Sequence, residues 1–155
     1  MLSASENIAE HIRDADLVVG AVLVTGAKAP WVVTEEMVKT MQPGSVIVDV
    51  SMDQGGCIQT SMPTKHSNPV FVKHGVTHYC VTNMPGAYPR TSTIALTNMT
   101  LQYLLKLASN GFEKTMKEDN GFAKGVNTHK GFIIYKQVAD TLNMNDKFRE
   151  LKEII

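Results

Sequence analysis

Apolar positions along this chain alternate between helical spacing and short unbroken runs, and the changes of period predict an order of helices and strands. Ser3-Ala4-Ser5-Glu6 has the form of a capping box, and Ile8 and Ile12 follow one helical turn apart, which predicts a short helix from about residue 5 to 14. Asp16 introduces the apolar run Leu17 to Val24, of strand character, with Gly20 marking a place where another backbone or a ligand comes close. Thr34 is a suitable N-cap, Glu35 and Glu36 suit a first helical turn, and Met37, Val38 and Met41 supply an inward face before Pro43-Gly44 stops the helix.

Ser45 to Val50 is a nearly continuous β-branched run, the pattern of a buried parallel strand. The stretch from Asp53 through Pro63 and Pro69 reads as a long, irregular surface connection, and Val70 to Lys73 as a short strand. Val76 to Thr82 is a third main strand, ending in the stiff turn Asn83 to Pro89. Thr91 or Ser92 caps the longest helix, which runs to about Ser109 with Leu101, Leu104, Leu105 and Ala108 as a core stripe and Asn110-Gly111 as its stop. A shorter helix over about 112 to 119, a strand over Phe132 to Tyr135, and a helix through Val138, Ala139 and Leu142 complete the order, and Asp146 to Ile155 reads as a frayed amphipathic helix. Strands alternating with helices predict an α/β fold with parallel strands near 17 to 23, 45 to 50 and 76 to 82.

Open α/β sheets bind ligands at the carboxyl ends of their strands, which directs attention to Asp53, followed by Gln54-Gly55-Gly56. A carboxylate there can meet a cofactor ring or a reacting amine, and Asp before Gly-Gly is also ordinary turn chemistry. Asn83 offers a ligand both a donor and an acceptor, or satisfies local backbone; Lys28 approaches a phosphate, or is simply solvated.

The chain has 155 residues, enough for one domain with a real core. Fifteen Lys and Arg balance fifteen Asp and Glu, so no charge excess favours nucleic acid or an anionic membrane, and a small organic ligand fits better. Cys57 and Cys80 lack the close spacing of a zinc or redox motif and read as reduced, partly buried thiols, which points to the cytoplasm. The first fifteen residues lack the apolar centre of a signal peptide, and no apolar run is long enough for a membrane span. His11, His66, His74, His78 and His129 show no metal-ligand pairing, so no metal is expected, and His78 reads as a packed strand residue. No glycine-rich phosphate cradle of the Gly-x-Gly-x-x-Gly or Walker kind occurs in these residues.

Taken together, these motifs resemble the alanine dehydrogenase family. The matching segments are Ala15 to Val24, Gly26-Ala27-Lys28-Ala29-Pro30, Pro43 to Val50, Asp53-Gln54-Gly55-Gly56-Cys57, His78 to Val81, Asn83 to Ala87 and Pro89 to Thr93. They fall in the family's order from about residue 7 to about 140. The related transhydrogenase α subunit shares the Pro-Gly-Ser-Val-Ile-Val-Asp strand but typically lacks the Asp-Gln-Gly-Gly and Asn-Met-Pro-Gly elements, so Asp53 and Asn83 favour alanine dehydrogenase.

The resemblance implies NAD-dependent, reversible oxidative deamination of L-alanine to pyruvate and ammonia. It implies that Asp53 is catalytic beside the nicotinamide, and that Val22, Leu23, Val50, Ser51, Met52, Asp53, Val81, Thr82, Asn83 and Met84 line the cofactor site. Residues 1–88 then form part of a Rossmann-type NAD-binding domain, and 89–155 a long helix and a segment returning to the substrate domain. Met62 stands where some members carry an arginine near the cofactor. The family's substrate-binding Arg and Lys, its catalytic His and its glycine turn belong to a region these residues do not contain. The chain alone is therefore expected to be inactive; as partners the resemblance implies a homo-oligomer or full-length subunits, and the alternative is a non-catalytic interaction module that pairs with full-length subunits.

Overall fold

The computed structural model describes residues 5–155. Part of the expected capping box, Ser3 and Ala4, lies outside them. The chain divides into two units, one of residues up to 24 together with 28–87, the other of residues 25–27 together with 88–155.

The first unit is built on a four-stranded sheet of β1 (Leu17–Gly20), β2 (Val46–Asp49), β3 (Val70–Lys73) and β4 (Val76–Tyr79), in the spatial order β1-β2-β4-β3. The three main strands run parallel as expected, with Val18 opposite Ile47 and Ile47 opposite His78. β3 is antiparallel to β4. His74 and Gly75 join them with φ values of 55° and 78°, the two left-handed positions that a tight hairpin turn demands.

Helices α1 (Ser5–His11) and α2 (Glu35–Lys39) flank this sheet, α1 continuing as a 3₁₀ turn through Asp14. The Thr34 side chain caps α2 by accepting the Met37 N–H at 3.3 Å. Ile12, Val38 and Met41 pack with Ile47 and Val76 in a core that Ile8, Val18 and Met37 border. Alternation along β2 and β4 buries Ile47, Val76 and His78 on that face, whereas Leu17 and Val19 on the other face of β1 are each 57% exposed.

Two expectations for this unit need correction. The first strand stops at Gly20 and does not run to Val24, because the Ser51 side chain takes over both backbone groups of Val22: the Val22 N–H donates to Ser51 Oγ at 2.6 Å and the Ser51 hydroxyl donates to Val22 O at 2.9 Å. The segment after Asp53 is irregular, and largely exposed between Met62 and Asn68 as expected, but its first part is not a surface connection. Cys57, Ile58 and Thr60 are buried, with Ile58 bridged in parallel to Val33.

In the second unit, α3 (Pro89–Asn110) begins two residues before Thr91, with Pro89 at its first positions and no side-chain cap. Proline suits that place because its missing N–H has no helical partner there. The leucine stripe is not core here: no residue of α3 is buried, and Leu101, Leu104 and Leu105 are exposed. Gly111, at φ 75°, ends the helix. α4 (Phe112–Glu118) follows, then an unexpected helical turn, α5 (Asn120–Ala123), whose first residues are capped by Asp119 accepting the Phe122 N–H at 2.9 Å. Lys130 and Gly131, both left-handed, turn β5 (Thr128–His129) into β6 (Phe132–Ile133). α6 (Lys136–Thr141) matches the expected helix. The expected terminal helix is replaced by two single 3₁₀ turns, Asn145–Lys147 and Leu151–Glu153, since the Arg149 N–H bonds to Ile133 O and extends the backbone between them.

Candidate active-site wall at the strand ends

Past Asp49 the chain leaves β2 in a 3₁₀ turn, Val50–Gln54, which places Asp53 at the carboxyl end of the parallel strands. Gly55 closes the turn at φ 89°. The Lys28 side chain crosses directly over it, so that a Cβ on Gly55 would lie 2.6 Å from Lys28 Cε. Lys28 Nζ stands 5.6 Å from the centre of the Trp31 ring. Backbone bonds from Ala29 N to Gln54 O and from Val32 N to Cys57 O, 3.0 and 2.8 Å, join these two loops.

Asp53 itself is exposed, and both of its carboxylate oxygens accept the Asn83 backbone N–H, at 3.1 and 3.3 Å. Asn83 adopts a left-handed φ of 53°, and its carbonyl oxygen faces His66 Nε2 at 3.1 Å. A side chain on Gly86 would come within 3.1 Å of the Asn83 side-chain nitrogen Nδ2 and 3.3 Å of His66 Nε2, so the glycine keeps this turn closed. Asp53 and Asn83, far apart in sequence, thus meet on one side of the sheet. His66 was not singled out by sequence, and a lone histidine in a loop carries no signal that would do so.

The other expected site residues follow the carboxyl ends of the same three strands. Val22 is half-buried and Leu23 is 72% exposed beyond β1; Val50 is 49% exposed, while Ser51 and Met52 are buried beneath the turn. After β4, Val81 is buried and pairs with Thr64, Thr82 is exposed and Met84 is half-buried. Met62 is 52% exposed. The result is an open wall, apolar at Leu23 and Val50, with one carboxylate and one side-chain amide.

Beneath the wall, Asp49 is fully buried. Its carboxylate accepts the N–H groups of Ser51, Cys57 and Ile58 at 3.0, 3.0 and 3.2 Å, and the Cys57 thiol lies 3.6 Å away. Burial, with Asp49 nearby, raises the Cys57 thiol above its usual range; burial also raises Cys80, and both cysteines are free. His78 is buried too, with Nδ1–H donating to Val76 O at 3.0 Å, Nε2 accepting from the Thr60 hydroxyl at 2.8 Å and its ring stacked on Phe71. Burial lowers its pKa and keeps it neutral, the packed role expected for it.

Residues 1–136 match the family described as Alanine dehydrogenase/PNT, C-terminal domain. An alanine dehydrogenase of Lysinibacillus sphaericus is 55% identical over 141 residues, 90% of this chain and 38% of the relative. A solved L-alanine dehydrogenase superposes with a TM-score of 0.74 at 45% identity, over 90% of this chain and 38% of that one. A transhydrogenase from Sinorhizobium meliloti gives 0.63 at 29% identity, over 85% of this chain and 35% of that one. The chain thus spans about two fifths of the length of these relatives. The family match covers most of this chain, and the chain belongs to the alanine dehydrogenase/PNT C-terminal domain family.

Proposed function

We propose that this chain forms one wall of the NAD site of an L-alanine dehydrogenase, acting in reversible oxidative deamination of L-alanine to pyruvate and ammonia, with Asp53 as a catalytic residue. The observation that carries the reading is the exposed Asp53 carboxylate, held by the Asn83 N–H at the end of a parallel sheet. Identity of 55% to an alanine dehydrogenase supports it, and the lower 29% to the transhydrogenase makes that alternative weaker.

The donor set suits the cofactor. Leu23 and Val50 offer apolar surface to a flat ring, the Asn83 side chain can bond a carboxamide, and Val22, Ser51, Met52, Val81, Thr82 and Met84 shape the floor. Bound NAD would supply the hydride acceptor. Asp53 retains acceptor capacity beyond the Asn83 N–H, with which it orients the substrate amino group and receives a proton from it. The residues from 89 onward return to the substrate domain in this reading, and the protein works in the cytoplasm as an oligomer or with full-length subunits.

The test is NADH production from L-alanine and NAD by the purified chain, alone and mixed with the remaining N-terminal segment of a full-length relative. Near-attack geometry needs both walls, and an error of about 1 Å costs on the order of 10²-fold, so the chain alone should show no measurable turnover and the mixture should show activity. In the mixture, Asp53→Asn should lower kcat by roughly 10²–10⁴-fold with an unchanged circular dichroism spectrum. Unchanged turnover would reduce Asp53 to a turn residue, and robust NADH from the chain alone would overturn the single-wall reading.

A further inference from the structure

We propose that Asp49 is the positioning residue of this wall: its buried carboxylate closes the loop that follows β2 and so holds Asp53 against the Asn83 N–H. The proposal rests on the reading of Asp53 given above, since positioning matters to the reaction only if Asp53 takes part in it.

Three observations carry it. Asp49 ties together both ends of the loop, accepting Ser51 N–H at its start and Cys57 and Ile58 N–H at its end. An ionised carboxylate is acceptor-only and has room for all of these donors, whereas an amide of the same shape would turn N–H groups toward other N–H groups. Second, the loop is shaped around that carboxylate: a Cβ on Gly56, at φ 77°, would stand 3.0 Å from Asp49 Oδ2. Third, the clamp reaches the neighbouring strand end, because Ser51, whose N–H it binds, holds both backbone groups of Val22. Asp53 lies midway in the clamped segment and is exposed, so the path of the turn directs its side chain.

A carboxylate that merely stabilises the fold would make the same buried bonds. What separates the two roles is whether the Asp53–Asn83 contact depends on Asp49. In the ¹⁵N-labelled chain, the Asn83 amide resonance should shift as the Asp53 carboxylate titrates, and Asp53→Asn should abolish that shift. Asp49→Asn should abolish it as well while the amide resonances of β1, β2 and β4 persist. A folded Asp49→Asn chain whose Asn83 amide still follows Asp53 would overturn the proposal, as would an Asn83 amide in the parent chain that ignores Asp53. Should Asp49→Asn fail to fold, hydrogen exchange in the parent chain decides. Positioning requires Asn83 to open together with Cys57 and Ile58, and exchange at Asn83 more than about tenfold faster than at those two would overturn it. The turnover of Asp53→Asn is a separate result, so an intact clamp with an inactive-site Asp53 and a catalytic Asp53 without a clamp remain distinguishable.

Discussion

Gly20 carries more of this architecture than its size suggests. A Cβ there would lie 2.5 Å from Cys57 Sγ and 3.2 Å from Ile58 Cδ1, so what the sequence marked as room for a backbone or a ligand is occupied by the buried segment after Asp53. Cys57 has little freedom to withdraw, because its N–H is bound to Asp49. Gly20→Ala should therefore destabilise the chain by about 1–3 kcal/mol in urea unfolding, as overpacking of a filled core does. Adding Cys57→Ala to that variant should recover part of the loss; strictly additive effects would show that the two sites do not press on one another.

At the scale of elements, the sheet is joined to its flanking helix by charge as well as by packing. Glu35, in the first turn of α2, meets His74 Nε2 at 2.7 Å and Lys73 Nζ at 2.9 Å from the β3–β4 hairpin. The His74 contact, then Lys73, lowers the Glu35 pKa from 4.5 to about 2. A carboxyl depressed on folding adds stability that is complete above its unfolded pKa and disappears as pH falls through the folded value. Replacement by glutamine, Glu35→Gln, should lower the urea midpoint slightly near neutral pH, and the difference from the parent chain should shrink between pH 4.5 and about 2. A difference that stays constant over that window would show that the cluster contributes nothing through charge. Helix α3 makes the opposite point: its side chains Ile94, Leu96, Met99, Leu101, Leu104 and Leu105 are apolar and all more than half exposed.

For the whole molecule, that exposure and the identity data lead to one expectation. Parallel sheets are normally covered on both faces, yet Leu17 and Val19 are open, β1 is an edge strand, and α3 has no buried residue. Large exposed apolar patches mark association surfaces. The purified chain should therefore sediment as more than a monomer, and a full-length relative should bind it. A monomer at every concentration that ignores the relative would remove association from the proposed function. Among the described residues no helix is long and apolar enough to cross a membrane.

Local pattern alone determined which stretches become strands and helices: an apolar run near 17–23, a β-branched run near 45–50, a third strand near 76–82, and a Thr-capped acidic first turn at α2. These follow from side-chain period and backbone sterics within a few residues, which is why they are legible without neighbours. Tertiary structure decided where the elements stop and which polar groups meet. The Ser51 hydroxyl ends β1 by binding Val22, twenty-nine positions away; Asp49, which reads as one more strand residue, gathers the backbone of the following loop; and Asp53 finds the Asn83 N–H thirty positions on. The spacing of the α3 leucines likewise identified a face that avoids water without specifying what covers it. Periodicity records the tendency to leave water, whereas the partner of a buried carboxylate or an apolar face is set by chain closure over long sequence distances.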